Sequence, residues 1–216
     1  MLFQTMALLS IALPTQIPGP LIRVRSGTEV RATVRNPLQV PIWVRGLQDR
    51  AARSLDSAEV APGASREFRF VATAPGAWYC WGGGAAAHAP ISDPSGQLVG
   101  AFVVDPPGGP GAPDRVLVIT RWTPNATPEK TGFQVNAING RSWPNTERLA
   151  YTVVDSVHWK VVNASDALHE MHLHGFFFQN SGLGYTLDTS TAGSDQVTRV
   201  VEGRRMPPRL LASILT

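Results

Sequence analysis

The chain has 216 residues, 43% of them apolar and only 16% charged, which suits a buried core and excludes a disordered or coiled-coil protein. The formal net charge is +3, and the arginines are scattered with no basic stripe among aromatics, so no nucleic-acid footprint is present. Cys80 is the sole cysteine, which rules out an intrachain disulfide and leaves the redox compartment open.

Residues 1–17 contain an apolar run, Met6 to Leu13, with no basic segment ahead of it and too few residues to span a bilayer. A worn export signal, a misplaced start and an ordinary apolar strand are the alternatives, and the role of this segment stays open. No other stretch is long and apolar enough to cross a membrane.

Residues 18–105 read as strand after strand. In "LIRVRSGTEVRATVRN", Ile22 and Val24 alternate with Leu21, Arg23 and Arg25; after a Ser26-Gly27 turn, Val30, Ala32 and Val34 alternate with Arg31, Thr33 and Arg35. That period of two predicts strands with one buried face. "VPIWVRGL", "SREFRFVA" with Phe68 and Phe70, "GAWYCWGG" and "GQLVGAFVVDP" continue the pattern. Turn signals recur about every 8–12 residues, the spacing of a β-sandwich or barrel.

Residues 106–114, "PPGGPGAPD", stack prolines and glycines with nothing to bury and predict a linker. Residues 115–216 form a second block. Asn139-Gly140 fits a tight hairpin turn. "YTVVDSVHWKVVN" echoes "RVRSGTEVRATVRN": strand, polar turn, strand, then Asn. The two blocks therefore read as one module used twice, with about 90 residues per copy. Beyond Phe178 the pattern decays: "NSGLGYTLDTSTAGSDQ" reads as a loop, "VTRVVEG" as one strand, and "RRMPPRLLASILT" does not alternate.

Chemistry concentrates in "LHEMHLHGFFF", Leu168 to Phe178, which holds three of the five histidines. On a strand His172 and His174 share a face, with His169 three residues earlier. Neutral imidazoles are the commonest metal ligands, and three suit copper, zinc or iron. His88 and His158 stand alone and are read as structural. A zinc hydrolase on three histidines would need a general base, for which only Glu170 is near.

"HEMHLHG" resembles the H-P-x-H-L-H-G motif of the multicopper oxidases, the laccase-like cupredoxin proteins. "QIPGPLIRVRSGTEVRATVRN" resembles the first strands of that family's N-terminal domain, "APGAWYCWGG" sits where the family has P-G-T-Y-W-Y-H-S-H, and "INGRSWPNTERL" resembles the start of a later domain. The resemblance covers roughly Pro18 to Phe178. It implies an all-β fold of two tandem cupredoxin-like Greek-key β-sandwiches, the second incomplete, and copper as the cofactor. It implies His169 at a type 1 copper and His172 and His174 at a three-copper cluster. A small-molecule electron donor and dioxygen follow as partners, and an extracellular or periplasmic location. Glu170 replaces the motif's proline, so the backbone entering the strand is less fixed.

The resemblance also shows gaps. Where the family reads I-H-W-H-G-L, this chain has Trp43 and Arg45; in the second motif it has Trp81 and Gly83. Cys80, in an apolar strand, reads as a small buried hydrophobe rather than a ligand. The family's H-C-H motif is absent. The loss of alternation after Pro208 leads to the expectation of an interrupted gene, by a frameshift or premature end, whose product lacks oxidase turnover. The leading expectation is thus a fragment of a copper oxidoreductase. The alternatives are a non-catalytic copper-binding module, with a shell completed in a homo-oligomer, and a structural sandwich with vestigial ligands.

Overall fold

The computed structural model describes residues 6–11, 17–51, 57–84, 98–110, 112–122, 133–165, 167, 169–174, 176–183, 195–196, 198–201 and 212–215. It divides into two compact units, Met1–Gly109 and Pro110–Thr216, and the division falls within the Pro/Gly-rich stretch. No helix occurs among the described residues, and none is long and apolar enough to cross a membrane.

The first unit carries β1 (Met6–Ile11), β2 (Gly19–Arg25), β3 (Thr28–Arg35), β4 (Ile42–Arg45), β5 (Ser57–Val60), β6 (Ser65–Ala72), β7 (Gly76–Gly83) and β8 (Val99–Asp105). They form two sheets, ordered β1-β3-β6 and β2-β8-β7-β4-β5. The period-2 reading of the sequence holds along β2, β3, β4 and β7. Ile22, Val24, Val30, Ala32, Val34, Ile42, Val44, Trp78 and Cys80 are buried, while the residues between them are not fully so. Phe70 of one sheet meets Phe102 of the other edge to face, with centroids 5.8 Å apart, so the buried faces oppose each other as a sandwich. Residues 6–11 are a strand, parallel to β3 from Met6↔Glu29 to Ile11↔Val34. The parallel pair β2 and β8 is fastened by Arg23, which donates from Nε and Nη2 to the two oxygens of Asp105 at 2.8 Å each.

The second unit carries β9 (Arg115–Trp122), β10 (Val135–Ile138), β11 (His158–Asn163), β12 (His169–His172), β13 (Phe178–Leu183), β14 (Asp195–Gln196), β15 (Thr198–Val201) and β16 (Ala212–Leu215). One sheet runs β10-β9-β11-β16-β13-β14; β12 and β15 pair separately. Asn139-Gly140 forms the tight turn its sequence predicts. Both residues have positive φ, 49° and 79°, and Ile138 and Arg141 exchange backbone hydrogen bonds across them at 3.0 and 3.1 Å. The Asn139 side chain bonds the neighbouring strand, accepting from Val118 N at 2.8 Å and donating to Val116 O at 3.1 Å.

Three sequence expectations differ from the structure. Tyr151–Val154 is not a strand: the Asp155 carboxylate accepts from Thr152 N at 2.7 Å and folds the segment into a turn, leaving Val153 and Val154 exposed. Asn180–Leu183, expected as loop, continues β13. Ala212–Leu215 is β16, inserted between β11 and β13. A four-residue strand between two partners is too short for alternation to reveal it.

The asparagine that ends the corresponding strand in each module is fully buried in both units. Asn36 accepts from Leu38 N at 3.0 Å and donates to Val40 O at 2.8 Å and Val60 O at 2.9 Å. Asn163 accepts from Ser165 N at 3.0 Å and donates to Ala167 O at 2.7 Å. Each thus closes a loop onto the residue four positions on, which explains the repeat in physical terms. Asn36→Ala removes the bonds to Leu38 N, Val40 O and Val60 O, the last of them buried, and is expected to cost about 1–3 kcal/mol in chemical denaturation, with the unfolding slope unchanged.

Candidate metal centre

The Asn163 clamp builds the entry to the histidine strand. Its Oδ1 lies 2.7 Å from Ser165 Oγ, and that hydroxyl lies 3.0 Å from His169 Nε2. With the Ser165 proton directed to Asn163, His169 donates from Nε2, and a metal on this ring would be held through Nδ1.

β12 pairs antiparallel with β15, from His169↔Val201 to His172↔Thr198. Along it exposure alternates. His169, Met171 and Leu173 lie toward the core side, where Met171 and Leu173 pack against Leu117, Ile119, Val161 and Phe178. Glu170, His172 and His174 face out. The His172 and His174 rings meet edge to face with centroids 4.8 Å apart. After them Phe176 and Phe177 are 71% and 68% exposed, while Phe178 enters the core at 2%.

The strand therefore brings two histidines together and turns the third away. Among the described residues, no three His, Cys, Asp or Glu side chains group closely enough to hold a metal ion. His158, on β11, is half-buried opposite Leu215 and outside the cluster. His88 lies outside the described residues. The zinc-hydrolase alternative loses its ligand triad, because Glu170 shares the outer face with His172 and His169 does not.

Cys80 is buried on the inner face of β7, its Sγ 3.6 Å from Gly100 O. Burial pushes its thiol up to about 11, against a smaller opposing effect of Arg50. Arg50 donates to Tyr79 O and lies 5.5 Å from the Trp78 ring. Gly46 makes room for it: with φ at 84°, a Cβ there would stand 2.6 Å from Tyr79 O.

Residues 113–204 match the multicopper oxidase family, and residues 7–108 match a second multicopper oxidase domain. The chain belongs to the multicopper oxidase family. A probable nitrite reductase-hydroxylamine oxidoreductase fusion protein of Kuenenia stuttgartiensis is 29% identical over 201 residues, which takes in 80% of this chain and 22% of that protein. This chain therefore spans about a fifth of that relative's length. Among solved structures, blue copper oxidase from Nitrosomonas europaea superposes with a TM-score of 0.78 at 18% identity, over 97% of this chain and 75% of that one. Copper nitrite reductase from the same organism gives 0.72 at 16% identity, over 98% and 84%. A laccase from Botrytis aclada gives 0.70 at 14%, over 98% and 47%. At these identities the likeness is one of fold, and the fold is the all-β Greek-key sandwich of the cupredoxins.

Copper is the cofactor of the multicopper oxidases, and this chain's donors fit it in part. The second unit supplies an edge-to-face imidazole pair, and among the described residues no third donor gathers beside them. In the first unit the positions of the missing family histidines are cross-strand neighbours: Trp43 stands opposite Gly83, and Arg45 opposite Trp81. Indole, guanidinium and a bare glycine offer copper no lone pair, so this ladder keeps the backbone of a ligand cradle without the ligands.

Two outcomes follow. In the folded protein at pH 8, Cys80 is expected to resist iodoacetamide, and to react once denaturant is added; mass spectrometry reads both. Because its pKa is raised above the ordinary 9.0 to about 11, the folded state holds the proton longer than the unfolded one, so this thiol's contribution to stability is present below pH 9 and is lost as pH rises toward 11. Ser165→Ala is expected to remove one contact that orients the His169 ring, seen as a shift of its imidazole NMR signals, with a loss of about 1 kcal/mol in stability.

Proposed function

We propose that this chain is part of a copper-dependent oxidoreductase in which His172 and His174 hold copper jointly and His169 holds a separate copper through Nδ1. The observation that carries this reading is the outward-facing, edge-to-face His172–His174 pair on a strand whose alternate residues are locked into the core. Bound there, copper would take up and release electrons one at a time. The remaining donors come from outside the described residues, either from another copy of the chain or from a further segment of the same protein. The exposed Phe176 and Phe177 beside the pair support an apposed surface, since large apolar side chains next to metal donors favour coverage.

In this reading a small-molecule electron donor and dioxygen are the partners, and the protein works outside the cytoplasm as the family resemblance implies. Met171 and Leu173 hold the histidine pair in register, the Asn163–Ser165 clamp sets the His169 ring, and the first unit serves as structure.

A second reading, a copper-binding module without turnover, draws on the protonated, buried state of Cys80 and on the ligand-free β4–β7 ladder. The test is copper titration of the full chain, followed by electron paramagnetic resonance and light scattering. The proposal expects copper bound with nitrogen hyperfine structure from two imidazoles. In the double variant His172→Ala, His174→Ala, affinity should drop at least tenfold with melting temperature in chelator unchanged. An unchanged copper stoichiometry in the double variant would sink the assignment of copper to the His172–His174 pair. Copper binding without oxidation of any donor in an assembled sample would favour the second reading.

A further inference from the structure

The strand at the edge of a sheet presents unpaired N–H and C=O groups, which pair with another chain unless short length, charge, proline or a bulge blunts them. Most edge strands of this protein carry such a device. β2 has Pro20, Arg23, Arg25 and a shift of register between Gly19 and Ile22. β6 has the exposed charges of Arg66, Glu67 and Arg69. β5, β10, β12 and β15 have four residues each, and β14 has two.

Among the described residues β1 is the exception. Its six residues, MALLSI, include no charge and no proline. They pair with β3 without a shift of register, from Met6↔Glu29 to Ile11↔Val34. β3 lies on one side of β1, and no described strand lies on the other.

A second copy of β1 suits this edge. A two-fold axis normal to the sheet sets the two strands antiparallel and keeps each side chain on its own face, so every residue meets one an even number of positions away in sequence, or its own counterpart. Two central registers meet this condition. In one, Leu8 meets Leu8, Ala7 meets Leu9 and Met6 meets Ser10. In the other, Leu9 meets Leu9, Ala7 meets Ile11 and Leu8 meets Ser10. Both set a small residue against a large one on each side of the centre, and neither opposes like charges. At the far edge of each sheet stands the charged β6, so the pairing closes at two copies instead of growing.

We propose that the chain associates with a second copy of itself through β1, joining the two β1-β3-β6 sheets into one continuous sheet. The interface belongs to the first unit and needs no copper.

Sedimentation velocity of the full chain over a concentration series, in chelator, tests this. A reversible dimer is expected. Leu9→Lys places a charge inside the strand pair in either register and should raise the dimer dissociation constant about tenfold or more, while Leu9→Val should change it by about twofold at most. Because a lysine here also touches the pairing with β3, a second arm leaves the edge uncharged: Leu8→Cys and Leu9→Cys are each oxidised with diamide. The register that forms brings its central pair within disulfide reach, so one of the two variants should give a covalent dimer on a non-reducing gel. The unaltered chain, whose sole cysteine is buried, should give none. A monomer at every concentration would overturn the proposal, as would an unchanged dimer in Leu9→Lys or the lack of a covalent dimer from both cysteine variants.

Discussion

Two buried asparagines hold this molecule's repeated module in place. A side-chain amide inside a β-sandwich is costly unless its hydrogen bonds are met. Asn36 and Asn163 both meet that demand in the same way, by tying a strand end to the backbone two and four residues further on. In the first unit the clamp also reaches Val60, the last residue of β5, and so fastens the sheet's edge strand. In the second it fixes Ser165, and through Ser165 the ring of His169. The histidine strand therefore starts from a point set by core hydrogen bonding rather than by a mobile loop, which is the kind of support a metal ligand requires.

From that start, strand alternation does the sorting. Met171 and Leu173 are held by the core of the second unit, so His172 and His174 have no choice of face. The same logic governs β4, where buried Ile42 and Val44 force Trp43 and Arg45 outward. Packing in each unit thus fixes the address of the outward side chains without dictating their chemistry.

This division explains how much could be read from the sequence. β2, β3, β4 and β7 of the first block were legible because each buries one face and so writes a period of two, and β8, buried throughout, was legible as an apolar run. The Asn139-Gly140 turn was legible because few residue pairs tolerate two successive positive φ angles. The histidine motif was legible as chemistry, and its cross-face arrangement followed from spacing for His172 and His174. What escaped was context. "YTVV" has strand composition, but a single carboxylate, Asp155, turns it. β5 and β16 have four residues each, too few for a periodic signal. The separation of His169 from the other pair depends on where β12 starts, which an odd spacing of three leaves ambiguous until His169 is known to be its first residue.

The β4–β7 ladder has a wider consequence. Trp43, Arg45 and Trp81 are half-buried and Gly83 is buried, and all four alternate with the core residues of β4 and β7, so their identity can change while Ile42, Val44 and Cys80 keep their places. Folding and metal binding are written on opposite sides of the same strands, so selection can erase one text without smudging the other. A strand pair of this kind can carry one set of side chains for the fold and another for whatever its other face meets, and the two sets can change independently.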